Sequence, residues 1–193
     1  MNNQKAIWIF LAMFVIASAV ALPSVPVPSK SPEFTISEPT GKNILLSSLK
    51  GKVVVMEFLF IKSEHCMRVA RTLNELNDEL GPQGLQAVGV VFDPPSPSPV
   101  DANVGSQMVS YMVDYLKLKY PVGYATKGDV DAYLDRSGTE VLNIPQVVVI
   151  DRTGTIRAAS GGRGGDPRLE DKDSLSALVR GLLKEGASGN SKK

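Results

Sequence analysis

The chain has 193 residues, enough for one domain with a sizeable hydrophobic core. Hydrophobic residues make up 43% of it and charged residues 21%, a balance typical of globular proteins. The 21 basic and 20 acidic side chains leave a net charge of +1, so neither nucleic-acid binding nor a cation buffer is indicated. A single cysteine excludes an internal disulfide bond.

The first 21 residues have the pattern of a secretory signal peptide. Lys5 precedes the apolar run AIWIFLAMFVIASAVAL, and Ala19 and Ala21 give a small-residue Ala-x-Ala pattern just before Pro23. The run is slightly short for a full membrane span, which favours cleavage over an uncleaved anchor. We therefore expect an exported protein, periplasmic or otherwise extracytoplasmic, that contacts a membrane only if this segment stays attached.

The rest of the chain divides into a linker, one domain and a tail. Residues 22–31 form a Pro/Ser-rich segment that should stay extended. We expect a folded domain over residues 32–186 and a flexible tail over residues 187–193.

The first half of the domain predicts three strand regions and a helix. EFTISEPTGKNILLSSL alternates around Gly41 and predicts a hairpin or two short edge strands. KVVVMEFLF and LQAVGVVF are apolar runs typical of strands buried on both faces. Between them, a helical spacing of apolar residues ends at Gly81-Pro82: Val69, Leu73, Leu76 and Leu80. DPPSPSPVDAN predicts a loop, because its prolines suit neither a helix nor a central strand.

The second half predicts three more helices and three strands. YPVGYAT predicts a short strand, GDVDAYLD a short helix, and QVVVIDRTGTIRAAS two antiparallel strands around Thr153-Gly154. A last helix should close at Gly186. The helical spacings comprise Val104, Met108, Tyr111, Tyr115 and Leu118 for one helix, and Leu175, Leu178, Val179 and Leu182 for the last. This order predicts an α/β fold with a mixed central sheet, helices on both faces and an N-terminal edge hairpin.

Two segments resemble the thioredoxin fold, and more closely the exported TlpA/ResA branch of the AhpC/TSA superfamily. GKVVVMEFLFIKSEHC is similar to that branch's GKvvlvnFWatWCxxC, and NIPQVVVIDRTGTIR is similar to its cis-proline followed by xxxliDxxGxi. The resemblance covers nearly the whole domain. It implies a thioredoxin-like fold and exchange with protein thiols or disulfides, or with a small thiol reductant, without a cofactor. It also implies a cis Pro145, with Ile144 and Pro145 lining the face where substrate backbone docks, and we expect a monomer.

The active-site motif departs from the family at its first cysteine. Ser63 stands at that position, Cys66 at the second, and Leu59 where a tryptophan is common. In the family the first cysteine is the nucleophile and the second resolves the mixed disulfide. Because a hydroxyl cannot replace a thiol in that exchange, any disulfide chemistry must use Cys66 alone, with the second sulfur supplied by a partner.

Glu57 is the second candidate site residue. It lies inside the apolar run VVVMEFLF, where a carboxylate is costly to bury. By position it matches the buried acid that many thioredoxins keep beneath their second cysteine, and the resemblance implies that it relays the proton of Cys66. Burial should raise its pKa into a useful range for that role. The alternative is a structural carboxyl held at a strand edge or by a hydrogen bond.

The residues around Cys66 have more than one interpretation. Ser63 suits a helix cap that accepts from the Cys66 amide, and the same hydroxyl could donate to the Cys66 sulfur. Hydroxyl and thiol at this spacing also resemble the Thr-x-x-Cys of peroxiredoxins, although Leu59 replaces the proline of that family and Pro145 falls near the place of its arginine. A one-cysteine peroxidase is therefore an alternative.

Charge near the helix start predicts a depressed pKa for Cys66. Lys62 and the helix N-terminus both favour a thiolate, whereas Glu64 opposes it. His65 is a candidate substrate contact. We expect no metal site, because adjacent residues at a helix start point in different directions and the chain has no further soft ligands.

The preferred function is an exported thiol-dependent oxidoreductase with Cys66 as its redox thiol, Glu57 as its proton relay and Ser63 as a hydrogen-bonding helper. The alternative from another class is a non-catalytic thioredoxin-fold module that binds a protein partner and in which Cys66 is inert. Exposure separates the two, since a fully covered sulfur would favour the binding module.

Overall fold

The computed structural model describes residues 27–92, 102–137, 142–161 and 165–188 of the chain. The strands are β1 Ser29–Lys30, β2 Thr35–Ser37, β3 Asn43–Leu45, β4 Val53–Leu59, β5 Leu85–Phe92, β6 Val122–Ala125, β7 Gln146–Ile150 and β8 Thr155–Ala159. The helices are α1 Glu64–Leu80, α2 Ala102–Leu116, α3 Lys127–Tyr133 and α4 Lys172–Ser188. The expected signal peptide and residues 93–101 of the expected loop lie outside the described residues.

One eight-stranded mixed sheet organises the domain, in the order β1-β8-β7-β4-β5-β6-β2-β3. The central strand β4 runs parallel to β5 and antiparallel to β7. All of its residues are buried, which agrees with the continuous apolar run in the sequence. The mixed sheet and the antiparallel pair β7–β8 confirm the predicted α/β fold.

Alternate residues of β4 face two separate hydrophobic clusters. Val53, Val55 and Leu59 pack with buried residues of α1, α2 and α4. Val54, Met56 and Phe58 pack with residues of α3 and the edge strands. Helices therefore cover both faces of the sheet, as predicted, and each residue of β4 is committed to one face by the strand alternation.

The ends of several elements differ from the sequence prediction. Ser29 and Lys30, expected in the linker, form β1 and pair with β8. Helix α2 begins at Ala102, inside the expected loop, and α4 runs past Gly186 to Ser188. A glycine lowers helix propensity without forbidding helical dihedrals, so Gly186 does not end α4. The predicted N-terminal hairpin is confirmed by the antiparallel pair β2–β3.

The apolar spacing predicted for helix α2 is buried only in part. Val104, Tyr111 and Tyr115 are exposed, and the two tyrosine rings stack on each other with centroids 5.8 Å apart. Val109 and Met112 are buried in the core, and two residues of the predicted spacing also pack there, Met108 partly buried and Leu118 buried. Apolar residues lie on more than one face of this helix, and the packing against β5 and β6 decides which of them are buried.

Within the part of the chain that the structure describes, no helix has the length and apolar character needed to cross a membrane.

Candidate thiol site

The thiol site lies where β4 ends and α1 begins. Ser63 is the N-cap of α1, and its side-chain oxygen accepts a hydrogen bond from the Cys66 amide at 3.3 Å. The carbonyl of Ser63 accepts from the Met67 amide at 3.0 Å. The capping interpretation of Ser63 is thus confirmed. The Ser63 side chain also acts to lower the pKa of the Cys66 thiol, against the larger effect of burial.

Cys66 is completely covered, with 0% of its surface exposed. It belongs to the cluster that α1, α2 and α4 form on one face of the sheet. Burial raises the pKa of the Cys66 thiol, and hydrogen bonds from the Ser63 side chain and the Phe60 backbone offset only part of this effect. The prediction of a depressed Cys66 pKa is therefore wrong, because removal from water outweighs the helix N-terminus. Lys62, on which that prediction relied, is exposed to solvent.

Glu57 is the buried carboxyl of the site. Its side chain is 0% exposed, and neither carboxylate oxygen has a hydrogen-bond partner among the described protein groups. Burial, reinforced by the negative charge of Glu170, raises the pKa of Glu57 well above its ordinary value. The expected burial and raised pKa are confirmed, and the alternative of a hydrogen-bonded structural carboxyl finds no partner within the described ranges.

Strand alternation points Glu57 toward Cys66. Glu57 lies two residues from both Val55 and Leu59, which pack in the cluster that contains Cys66. Its cross-strand neighbours are Gly89 on β5 and Val147 on β7, neither of which has a polar side chain. The negative charge of Glu57 also contributes to the raised pKa of Cys66. The carboxyl and the thiol therefore influence each other's ionisation.

Tyr120 is a neighbour of the site that no sequence pattern singled out. It is buried, and its hydroxyl donates to the Ala70 carbonyl of α1 at 3.3 Å. Burial and the charge of Glu57 raise the pKa of Tyr120 well above its ordinary value. Its position before Pro121 marks it only as the start of a strand, so its approach to Glu57 emerges from the tertiary fold.

His65 is held by an acid from a distant part of the chain. Its Nε2 lies 2.8 Å from a carboxylate oxygen of Glu170, with side-chain exposures of 45% and 22%. Glu170 ends the 3₁₀ helix Pro167–Glu170, which leads into α4. No sequence pattern points to Glu170, since a glutamate in a loop segment carries no local signal of its contacts.

The Ile144–Pro145 segment lies at the same end of the sheet as Cys66. Gln146 pairs with Phe58 in an antiparallel register, so the residues before Gln146 extend past the end of β4 toward the Ser63 loop. The Ile144–Pro145 peptide bond is cis. Ile144 is partly buried and packs against both hydrophobic clusters. The structure therefore gathers Glu57, Ser63, Cys66 and the Ile144–Pro145 segment at one end of the sheet.

No group of three or more histidine, cysteine, aspartate or glutamate side chains could hold a metal ion in the described ranges.

Residues 27–159 of the chain match the AhpC/TSA family. Among curated protein sequences, none matches this chain.

Several solved structures share the fold. A Bacteroides thetaiotaomicron protein, provisionally described as a protein disulfide isomerase, is 25% identical, with a TM-score of 0.65 over 88% of this chain and 98% of that one. A thiol:disulfide interchange protein of the thioredoxin family from Chlorobium tepidum is 20% identical, with a TM-score of 0.62 over 83% and 99%. A secreted Mycobacterium tuberculosis disulfide oxidoreductase is 19% identical, with a TM-score of 0.57 over 77% and 96%. These similarities show that the fold is thioredoxin-like.

Proposed function

The chain belongs to the AhpC/TSA family, and on that premise we propose that it is an exported thiol-dependent oxidoreductase acting through Cys66 alone. Glu57 moves the proton of the thiol, and Ser63 holds the sulfur by a hydrogen bond. Ile144, Pro145 and His65 form the surface on which a protein thiol or disulfide docks. No cofactor takes part, and the protein works as a monomer.

The observation that carries this proposal is the buried carboxyl of Glu57, which has no hydrogen-bond partner among the described residues. Burying a carboxylate without a partner costs several kcal/mol. A carboxyl in such a place therefore has a raised pKa and stays neutral to higher pH. An aliphatic side chain would fill the same position of β4 without that cost. A carboxyl with a raised pKa beside a buried thiol has a chemical use, because its ionised form can accept the thiol proton and later return it where water does not reach.

The exchange step follows from these two groups. Ionised Glu57 accepts the proton of Cys66, and the thiolate attacks one sulfur of a partner disulfide. A bond forms between Cys66 and that sulfur, the partner's S–S bond breaks, and the second partner sulfur leaves as a thiolate that takes a proton from solvent. An external thiol then loses its proton to solvent and attacks the partner sulfur of the mixed disulfide. This attack expels the Cys66 thiolate. Glu57 returns the proton, so Cys66 ends as a thiol.

The covered sulfur imposes an order on this reaction. Because Cys66 is 0% exposed in the free protein, a disulfide cannot reach it by simple collision. Docking of the partner at Ile144 and Pro145 therefore comes first, and a local shift of the Ser63 loop follows. A small disulfide that lacks a docking segment should consequently react slowly.

The proposal of export is supported by the signal-peptide pattern of the first 21 residues and by the description of one similar structure. A similar structure belongs to a protein described as secreted. We expect an exporting host to release a chain cut after Ala21. The mass of the purified protein tests this, and an intact N-terminus in the exported fraction would indicate an anchor instead.

Reaction with oxidised glutathione tests the proposed chemistry. We expect the folded protein to form one Cys66–glutathione adduct, seen by intact mass, and to lose it when a reduced thiol is added. Cys66→Ser is the control and should form none. A folded protein that forms no adduct with oxidised glutathione or with a longer disulfide peptide would refute the proposal.

A second candidate function has its own supporting observation. The complete burial of Cys66 and its raised pKa favour a non-catalytic binding module whose groove holds a protein partner. In that case Cys66→Ser should leave partner affinity unchanged, whereas Ile144→Asp should reduce it. The one-cysteine peroxidase has less support than either function, because Leu59 replaces the proline of that family and Pro145 falls near the place of its arginine.

A further inference from the structure

Gln146, the first residue of β7, has a buried polar side chain that the proposed exchange step does not use. The residue is 7% exposed, and its Nε2 donates a hydrogen bond to the carbonyl of Asn143, three residues earlier in the chain. A buried amide costs free energy unless it is hydrogen-bonded. Here the bond spans the segment that carries Ile144 and Pro145, so it closes the turn on which the proposed docking surface lies.

The turn uses a side-chain donor because its main chain has one donor fewer than usual. Pro145 has no amide hydrogen, and side chains commonly pair with the backbone groups of turns. Asn143 is exposed, Ile144 is partly buried and Pro145 is buried. A partner therefore meets Asn143 and Ile144 on the outside of the turn, while Gln146 holds the turn from the inside.

Gly161, which lies just after β8, is the second contact of the Gln146 amide. A Cβ atom at this position would come within 2.6 Å of the amide nitrogen of Gln146 and closer still to its oxygen and carbon. The overlapping atoms are the end of a side chain that can rotate. Gly161→Ala would therefore move the amide off the Asn143 carbonyl and leave the backbone in place. The amide thus lies between the Asn143 carbonyl and the Gly161 backbone.

The backbone of Gly161 is itself fixed by the end of β8. The Ser160 amide donates to the Val147 carbonyl at 2.9 Å, and the Val147 amide donates to the Ser160 side-chain oxygen at 2.8 Å. Farther along the chain, the Asp166 amide donates to the Ala159 carbonyl at 2.8 Å. These bonds join the chain on both sides of Gly161 to β7 and β8, so Gly161 is a firm support for the amide.

Gln146 acts on the turn from the face of the sheet opposite to Cys66. It pairs with Phe58 of β4, and the side chains of directly paired residues lie on the same face. Phe58 packs in the cluster formed with α3 and the edge strands, whereas Cys66 belongs to the cluster on the other face. A change at Gln146 should therefore alter the docking turn without altering the surroundings of the thiol or of Glu57.

We propose that Gln146 is a positioning residue for docking: its amide, held against Gly161, fixes the turn that a partner polypeptide meets. This inference rests on the proposed function for the identity of the docking surface. A binding surface that is fixed in advance avoids the free-energy cost of ordering it when the partner binds. Gln146 therefore contributes to the affinity of docking and not to the chemistry of the docked complex.

The test uses a short acetylated peptide with one central cysteine flanked by valines, as a mixed disulfide with a small thiol. Cys66 attacks the peptide sulfur, and the small thiol leaves. We expect Gln146→Met, which keeps the size of the side chain and loses its hydrogen bond, to raise the half-saturating peptide concentration about fivefold, the effect of one hydrogen bond. The limiting rate, its pH profile and the rate with hydroxyethyl disulfide, which has no docking segment, should not change.

Two further variants identify the contact. Gly161→Ala should weaken docking in the parent but little further in Gln146→Met, because no amide is left to displace. The matched control is Gln86→Met, which removes a glutamine that donates to a backbone carbonyl, that of Ala87, at 3.1 Å. Gln86 is near the start of β5, at the end of the sheet away from Cys66, so this control should leave docking unchanged.

Docking is also measured without reaction, by titrating a serine form of the peptide and following the Ile144 amide resonance. Equal docking to the parent, Gln146→Met and Gly161→Ala would overturn the inference, whatever Cys66 does. If docking weakens in both variants but Cys66 reacts with no disulfide, the positioning role holds and the oxidoreductase proposal fails. A peptide that forms an adduct with Cys66 without shifting the Ile144 resonance would support the oxidoreductase and overturn the inference, because docking would not use this turn.

Discussion

The thiol of Cys66 ionises with difficulty because it is removed from water. Its pKa is raised mainly by burial, and the hydrogen bond from Ser63 offsets part of that effect. Each unit of pKa lowers the thiolate fraction tenfold at neutral pH. The reactivity of the folded protein should therefore differ from that of its unfolded chain in both rate and pH dependence.

We predict that iodoacetamide alkylates native Cys66 at pH 7 at least about tenfold more slowly than it alkylates the urea-unfolded chain. The native rate should continue to rise above the ordinary thiol pKa of about 8.5. Removal of the Ser63 hydroxyl in Ser63→Ala should slow the native reaction further. An equal rate in the native and unfolded chains would contradict the raised pKa.

A matched control separates the effect of the Ser63 hydroxyl on the thiol from the loss of a helix cap. Thr126 caps α3 by accepting from the Asp129 amide at 3.1 Å. Thr126→Ala should cost about 1 kcal/mol, as should the capping part of Ser63→Ala. Only the Ser63 variant should change the alkylation profile.

We predict that Glu57→Gln stabilises the domain and slows the reaction of Cys66. The folded-state pKa of Glu57 is raised, so the folded protein holds this proton more tightly than the unfolded chain does. Stability is therefore lost as pH rises from the unfolded value of about 4.3 through the folded value. Glutamine avoids that loss, so its advantage in urea midpoint should appear above about pH 4.3 and grow with pH. A destabilised variant with unchanged thiol kinetics would remove Glu57 from the mechanism.

For single residues, the sequence indicated the candidate site positions better than it indicated the directions of their pKa shifts. A carboxylate inside VVVMEFLF is visible in the sequence, and its raised pKa follows from burial. The shift of the Cys66 pKa has the opposite sign from the one expected, because the sequence does not reveal that Cys66 is buried in the core cluster formed with residues of α1, α2 and α4. Glu170 and Tyr120 come from distant segments and could be found only in the folded chain.

The strand–loop–helix unit formed by β4 and α1 is the element that carries the site. Ser63 closes the first turn of α1 and is partly exposed, whereas Cys66 is buried. This difference in exposure between the two positions suits an attacking and a resolving thiol. On the proposed function, the unit would have the layout of a dithiol site in which Ser63 replaces one sulfur.

We predict that Ser63→Cys restores a dithiol site. The variant should form an internal disulfide with Cys66 and catalyse the reduction of insulin by a small thiol, whereas the parent should not. The cap is lost in this variant, at a cost of about 1 kcal/mol. Mass spectrometry after mild oxidation measures the disulfide. If the variant keeps two free thiols under oxidant, the alignment of this motif with the family is incorrect.

The sequence predicted that the strongly patterned strands and helices exist. It did not predict where they end or which of their faces are buried. The run KVVVMEFLF gave β4, and the spacing of Val69 to Leu80 gave α1. Helix α2 exposes Tyr111 and Tyr115 because its apolar residues circle the helix and packing alone selects a face. Strand β1 lies in a Pro/Ser-rich segment, and it is a strand because its backbone pairs with the edge of β8.

In the whole molecule, the thiol site and a structural junction lie at opposite ends of the sheet. Arg152 follows β7 and donates to the Gly51 carbonyl at 2.6 Å and to the Gln83 carbonyl at 3.0 Å. These bonds connect the segments that enter β4 and β5. They lie at the end of β4 away from Cys66, so stability and thiol chemistry should be separable.

We predict that Arg152→Met lowers the free energy of unfolding by about 2 kcal/mol, through the loss of two charge-assisted hydrogen bonds. The alkylation rate of native Cys66 should not change when global unfolding is not limiting. Arg180→Met, which removes the exposed ion pair between Arg180 and Glu79, is the control and should cost well under about 1 kcal/mol. Urea unfolding measures both. A change in native thiol kinetics in Arg152→Met would show that the two ends are coupled.

The central claim is that Cys66 reacts from the folded protein, with Glu57 as its proton acceptor. The direct test is the rate of mixed-disulfide formation with a disulfide peptide as a function of urea below the unfolding transition, in the parent and in Glu57→Gln. We expect a rate nearly independent of urea in the parent and at least about tenfold slower in the variant, within the range by which a positioned general base accelerates proton transfer. A rate that rises steeply with urea, in proportion to the unfolded population, would show that Cys66 reacts only after unfolding and would contradict the account.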